Sequence, residues 1–168
     1  KRFAKQGQTS LLVGHREHEE VVGTHGEAPE STIVVSDVAE ADVVQVPNPE
    51  KVCYITQTTL SLDETRDVID RLKQRFPKMQ GPPAQDICYA TENRQTAVKA
   101  VVALCDLLLV VGSQNSSNSK RLVEVSRNYG VPAYLVDSFA DVSPDWVQGV
   151  ETVAITAGAS APEVLVQE

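Results

Sequence analysis

Cysteine is scarce in this chain, with three residues in 168, an odd number at irregular spacing. That excludes the disulfide framework of a small secreted domain and points to a reducing cytoplasm. Basic side chains are also few, 15 against 23 acidic ones, for a formal net charge of −8 and a sequence pI near 4.9. Phosphate-backbone binding needs a concentrated basic face, so nucleic acid is not the expected partner. No apolar run reaches the roughly 20 residues of a membrane span. The first residues, Lys1-Arg2-Phe3-Ala4-Lys5, lead into a polar stretch and not into the apolar core of a secretory signal. What is present is ordinary for a globular protein, 42% hydrophobic and 23% charged residues. The length suits one ordinary domain or two small ones.

No methionine opens the chain, and Lys1 to Lys5 resembles the tail of a helix. At the other end Ala161 to Val166 reads as a helix start, with Pro162 early and Glu163 in the first turn. A helix abandoned after about two turns is poorly stable by itself. The expectation is an internal piece of a longer protein.

Strands and helices alternate between those ends. Ser10–Gly14, Thr32–Val35 and Val52–Thr56 are short β-rich apolar runs. The spacing then predicts a helix over Leu60–Phe76: Ser61 and Glu64 have capping-box spacing, and Val68, Ile69, Leu72 and Phe76 share one face. Gly81-Pro82-Pro83 is the strongest linker signal and predicts a boundary between a lobe over 1–81 and another over 82–168. Beyond it the pattern predicts a helix over Asn93–Cys105 and a strand over Asp106–Val111, apolar throughout and suited to burial on both faces. A helix over Ser117–Tyr129 capped by Gly130, and strands at Ala133–Val136 and Val153–Thr156, complete the second half. The fold class is therefore α/β, two similar small lobes, each a parallel sheet with flanking helices. No sharp internal sequence repeat relates the halves.

Three stretches look chemical. Gly112-Ser113-Gln114-Asn115-Ser116-Ser117-Asn118-Ser119 lies between a buried strand and a helix, where ligands of open α/β sheets sit. A helix N-terminus offers unpaired N–H groups to an anion, and Ser160, in the matching loop Thr156–Pro162, can add a hydroxyl. The plainer reading is a solvated loop with more capping residues than one helix needs. The second stretch, Gly14 to Gly26, holds all three histidines. It lacks the His-Glu-x-x-His spacing of helical zinc proteases, because Val22 stands at the second His position, so a zinc hydrolase is a third-rank reading. A His/Glu pair two residues apart suits hydrogen bonding or proton donation. The third is Asp86-Ile87-Cys88-Tyr89-Ala90-Thr91. A cysteine near a helix N-terminus favours the thiolate, whereas Cys53 and Cys105 read as buried packing residues.

Read together, GHREHEEVVGTHGE, TQTTLSLDET, RFP, DICYATENRQ, VVGSQNSSNSKRL and TAGASAPE resemble the 4-hydroxy-3-methylbut-2-enyl diphosphate reductase family, from about Leu11 to the C-terminus. The resemblance implies a three-lobed α/β protein of the non-mevalonate isoprenoid pathway, with a 4Fe–4S cluster held by one Cys from each lobe. This chain would be the second and third lobes, without the first lobe and the C-terminal tail. Cys88 matches one cluster ligand; the other two are expected upstream of Lys1. His18, Glu20 and Thr58 match the polar group around the substrate hydroxyl, with Glu20 as proton donor, and Thr59 matches a threonine of the same loop. Ser116, Ser117, Asn118 and Ser160 match the diphosphate cradle. The implied reaction removes the hydroxyl reductively, giving isopentenyl and dimethylallyl diphosphate, with electrons from a donor such as flavodoxin or ferredoxin. The isolated piece is expected to be inactive. The competing reading from another class is a non-catalytic diphosphate-binding α/β module.

Overall fold

The computed structural model describes residues 2–82 and 87–168. It forms two compact units, Lys1–Ile87 and Cys88–Glu168. Of the linker Gly81-Pro82-Pro83, Pro83 lies outside the described residues, as does Asp86 at the head of the cysteine stretch.

In the first unit, a short helix α1 (Arg2–Lys5) leads into β1 (Thr9–Val13), and α2 (Glu19–Gly26) leads to β2 (Thr32–Val35). Then α3 (Val38–Val43), β3 (Val52–Thr56) and α4 (Leu62–Arg75) follow. The three strands are parallel in the order β2-β1-β3. Central β1 is covered on both faces, so its alternating side chains enter two cores. Leu11 and Val13 pack with Val68, Leu72 and Phe76 of the α4 region. Leu12 packs with Val21 and Val34. The α4 helix forms as its sequence dictates: the Ser61 side chain caps Glu64 N–H, Asp63 and Glu64 occupy the first turn, and Lys73 and Arg75 the last. Arg75 also donates to Ala41 O and Val44 O, satisfying carbonyls at the end of α3.

The second unit repeats the plan. After α5 (Tyr89–Val102) come β4 (Leu107–Val111), α6 (Ser117–Asn128), β5 (Ala133–Val136), α7 (Pro144–Val147), β6 (Val153–Ala157) and α8 (Glu163–Val166). The sheet is parallel in the order β5-β4-β6. Every residue of β4 is buried, as a central strand with both faces covered requires. Helix α6 ends in a Schellman turn: Gly130 takes φ +83°, its N–H donates to Arg127 O and Val131 N–H donates to Ser126 O.

Two helices were not legible in the apolar spacing, α2 and α3. Each buries a single side chain, Val21 and Ala41 respectively, so neither carries the periodic stripe that marks a packed helix. Helix α5 starts at Tyr89 and not at Asn93, because Cys88 stands at its N-cap without a side-chain capping bond and so gives no cap signal. It also stops earlier than the spacing predicts. Cys105 is partly exposed in the turn beyond it, which corrects its reading as a buried helical residue. Among the described residues no helix is long and apolar enough to cross a membrane.

Candidate functional site

The two units place comparable crevices at the C-terminal ends of their strands, and the hydrogen bonds there correspond one to one. Gly14 N–H donates to Val35 O (3.1 Å) and Gly112 N–H to Val136 O (2.9 Å). Gln57 N–H donates to Val13 O and Gly158 N–H to Val111 O, both at 2.9 Å. In each unit the central strand runs into a glycine, a polar loop and a helix N-terminus, at the point where strand order reverses. The residues that fill this common frame differ.

In the first unit His18 is the N-cap of α2, its Nδ1 accepting from Glu20 N–H at 3.2 Å. A ring that accepts at Nδ1 carries its N–H on Nε2. Glu20, at the second helical position, turns its carboxylate to the loop after β3. Thr58 N–H donates to both Glu20 oxygens at 3.1 Å, and Thr58 Oγ1 donates to Glu20 Oε2 at 3.0 Å. Glu20 and Thr58, far apart in sequence, thus form one hydrogen-bonded pair, partly buried. Thr59 is held separately, accepting from Gln57 Nε2 at 3.0 Å. Gln57 is 2% exposed, and its Oε1 accepts from His15 N–H at 3.1 Å, so one buried amide ties the His loop to the Thr-Thr loop. A side chain on Gly14 would come within 2.7 Å of Val21 Cγ2 and 3.1 Å of Gln57, which is why glycine stands there. Gln57 was not singled out in the sequence; its position directly past a strand end, between two threonines, was the available signal.

Arg16 braces the same loop from the outside. Its Nη2 donates to Val34 O (3.2 Å) and to Glu40 Oε2 (2.7 Å), and Ser36 N–H donates to the same oxygen (2.8 Å). The Arg16 guanidinium, helped by Ser36, holds the Glu40 carboxyl below the usual carboxylate range despite partial desolvation.

In the second unit Ser116 is the N-cap of α6, Ser117 and Asn118 open the helix, and Ser119 is its third residue. Asn118 is 7% exposed, and neither its Oδ1 nor its Nδ2 has a partner. Leaving a buried amide unpaired costs about 1–3 kcal/mol, a cost that a polar group brought to this helix start would relieve. Gly112 and Gly158 flank Ser119, whose Oγ would lie 2.4 and 2.1 Å from a Cβ on each. The loop carrying Ser160 is therefore drawn against the first turn of α6. Ser160 itself is exposed. Backbone N–H groups, hydroxyls and an unsatisfied amide converging at a helix N-terminus suit an anion.

Cys88 belongs to the same unit, exposed at the N-cap of the 14-residue α5. Arg94, on the same helix, donates from Nε to Ala157 O at 3.1 Å, tying the cysteine-bearing helix to the end of β6. This residue too escaped the sequence reading, since an Arg on a polar helix face carries no local signal. Cys53 is fully buried beside Ser10 Oγ at 3.3 Å, and burial pushes its thiol up. Among the described residues no group of three or more His, Cys, Asp or Glu side chains could hold a metal ion. Cys88 fits one ligand position of a metal centre, not a whole one. Of the three histidines that suggested zinc, His18 and His25 stand at opposite ends of α2 and His15 lies in the loop before it.

Comparison with known proteins follows this geometry. The family described as LytB protein matches residues 1–168. The 4-hydroxy-3-methylbut-2-enyl diphosphate reductase of Mycolicibacterium paratuberculosis is 57% identical over 168 residues, covering 99% of this chain and 51% of the relative. The enzyme of the same name from Leifsonia xyli is 54% identical, over 99% of this chain and 50% of its own length. The solved structure of the E-1-hydroxy-2-methyl-but-2-enyl-4-diphosphate reductase from Plasmodium falciparum superposes with a TM-score of 0.93 at 41% identity, over 98% of this chain and 52% of that one. The chain spans about half the length of the curated relatives it matches. A family match over every residue, with that fold in common, means that the chain belongs to the LytB protein family.

Proposed function

We propose that this chain is the substrate-handling part of a cytoplasmic 4-hydroxy-3-methylbut-2-enyl diphosphate reductase, comprising two of its three lobes. The observation that carries the reading is the orphaned Asn118 amide, buried at the start of α6 beside Ser116 and Ser117. A diphosphate supplies the acceptors that such a site lacks. Ser160, in the loop drawn against Ser119 by Gly158, completes the cradle. Neutral hydroxyls and backbone dipoles act locally, which reconciles a net charge of −8 with an anionic ligand.

The chemistry requires two electrons and two protons per turnover: the C–O bond breaks, the hydroxyl leaves as water and one proton ends on carbon. A 4Fe–4S cluster, with Cys88 as one thiolate ligand, supplies the electrons and a Lewis-acidic iron when bound. Glu20 provides the proton. Thr58 Oγ1 donates to Glu20 Oε2 in the resting site; once Glu20 is protonated the bond reverses, the carboxylic acid donating to Thr58 Oγ1 while the Thr58 O–H hydrogen passes on, which makes a two-residue relay. His18, its ring oriented by Glu20 N–H, donates from Nε2 to the substrate oxygen, and Thr59 completes the same loop. The electron donor is a small redox protein of the flavodoxin or ferredoxin type.

The test is anaerobic reconstitution of the full-length protein with iron and sulfide, alongside titration with inorganic pyrophosphate. The reading requires a brown protein, loss of the cluster absorbance in Cys88→Ser, and loss of pyrophosphate affinity in Asn118→Ala. A full-length protein that binds pyrophosphate but takes up no iron would instead be the non-catalytic diphosphate module.

A further inference from the structure

The donors around Ser116 have a polarity that the anion cradle alone does not explain. Ser116 Oγ accepts two hydrogen bonds, from Ser119 N–H at 3.2 Å and from Ser119 Oγ at 3.0 Å. A hydroxyl oxygen has two acceptor sites and one hydrogen. Both acceptor sites of Ser116 are therefore taken, and its own O–H hydrogen is the valence that remains. Ser119, 1% exposed, cannot turn away, because its Oγ sits in a notch between the two glycines at the ends of β4 and β6. A Cβ at Gly112 or Gly158 would lie within 2.4 or 2.1 Å of that oxygen.

The first unit shows what the frame looks like without this device. There the third helical residue is Val21, packed beneath Gly14, and the N-cap His18 accepts from Glu20 N–H. The place of Gly158 is taken by Gln57, whose amide occupies the crevice, and the loop N–H of Thr58 is spent on the protein's own Glu20 carboxylate. In one unit the loop N–H is spent on the protein's own carboxylate; in the other the N-cap hydroxyl accepts twice and keeps a hydrogen to donate.

We infer that Ser119 is a positioning residue that fixes Ser116 as a hydrogen-bond donor and thereby strengthens the cradle's hold on an anion. The inference rests on the diphosphate reading proposed above. The glycine notch is its steric half, holding Ser119 so that both of its bonds reach the one oxygen.

A double-mutant cycle on the full-length, cluster-loaded enzyme tests it, with inorganic pyrophosphate as the probe and calorimetry as the readout. Ser119→Ala and Ser116→Ala should each weaken pyrophosphate binding by about 3- to 10-fold, the range of one lost hydrogen bond. Because Ser119 acts through Ser116, adding Ser119→Ala to Ser116→Ala should change affinity by less than about twofold. Cluster absorbance and melting temperature follow folding in each variant. Additive losses, or wild-type affinity in Ser119→Ala, overturn the inference. Should Ser119→Ala fail to fold, Ser119→Cys keeps the shape with a weaker donor and should bind between wild type and Ser116→Ala; wild-type affinity there also overturns it. A wild-type protein that does not bind pyrophosphate overturns the diphosphate reading itself, a result distinct from any of these.

Discussion

Replacing Glu20 by glutamine separates its proton from its packing. In the native site the carboxylate accepts three contacts from Thr58, two from the backbone N–H and one from the hydroxyl. Glutamine keeps the length and one acceptor for Thr58 N–H, and the Thr58 hydroxyl can rotate to accept from the new amide. Exchanging charge-assisted for neutral bonds in a partly buried site costs about 1 kcal/mol of stability, so the fold survives. The dissociable proton does not. General acid catalysis is worth roughly 10²–10⁴-fold, or about 2.7–5.5 kcal/mol of barrier at 1.36 kcal/mol per tenfold. The assay is steady-state turnover of full-length Glu20→Gln under anaerobic conditions with a chemical reductant, with the visible spectrum of the same sample recorded. The expected result is kcat down by that factor with the cluster spectrum intact and KM changed far less than kcat, since glutamine keeps the shape of the side chain and an acceptor for Thr58 N–H. A kcat within about threefold of wild type, with full cluster loading, refutes the proton-donor role.

Thiol labelling should proceed in a fixed order. Exposed Cys88 reacts first, partly exposed Cys105 second, and Cys53, whose thiol is raised by burial, only on unfolding; mass spectrometry after timed alkylation reads the order. Acid stability should depend on the Arg16–Glu40 pair. The native Glu40 pKa is depressed, so its contribution is full above the ordinary Glu value of about 4.3 and is lost as pH falls through the native value. Arg16→Ala should flatten that limb of a melting-temperature profile, and added salt should shrink the difference, because both side chains are substantially exposed. Gly130→Ala, forced into φ +83°, should destabilise the second unit by about 1–2 kcal/mol in urea unfolding.

Much of the scaffold was legible because its signals are local. The run Leu107–Val111 has no polar residue, so it could only be an interior strand. Ser61 and Glu64 mark the start of α4 at fixed spacing, and Gly130 marks the end of α6. The helix α2 was hidden, though it carries His18 and Glu20, because it buries one side chain and contains glycines at both Gly23 and Gly26. The equivalence of the two units was hidden as well. It resides in backbone register and in two loop glycines, while the side chains on the common frame have diverged to carboxylate in one unit and amide and hydroxyl in the other.

By itself the sequence determined which elements form, since helix caps, strand runs and turn glycines act over a few residues through sterics and local hydrogen bonds. The order and spacing of six motifs also pointed to the family. Tertiary structure alone decided how those residues engage. Closing parallel strands side by side brings Thr58 to Glu20 and leaves Asn118 buried without a partner. The same packing seats Ser119 between two glycines so that Ser116 must donate. These are relations between strand ends distant in sequence, and only the register of the sheets sets their distances.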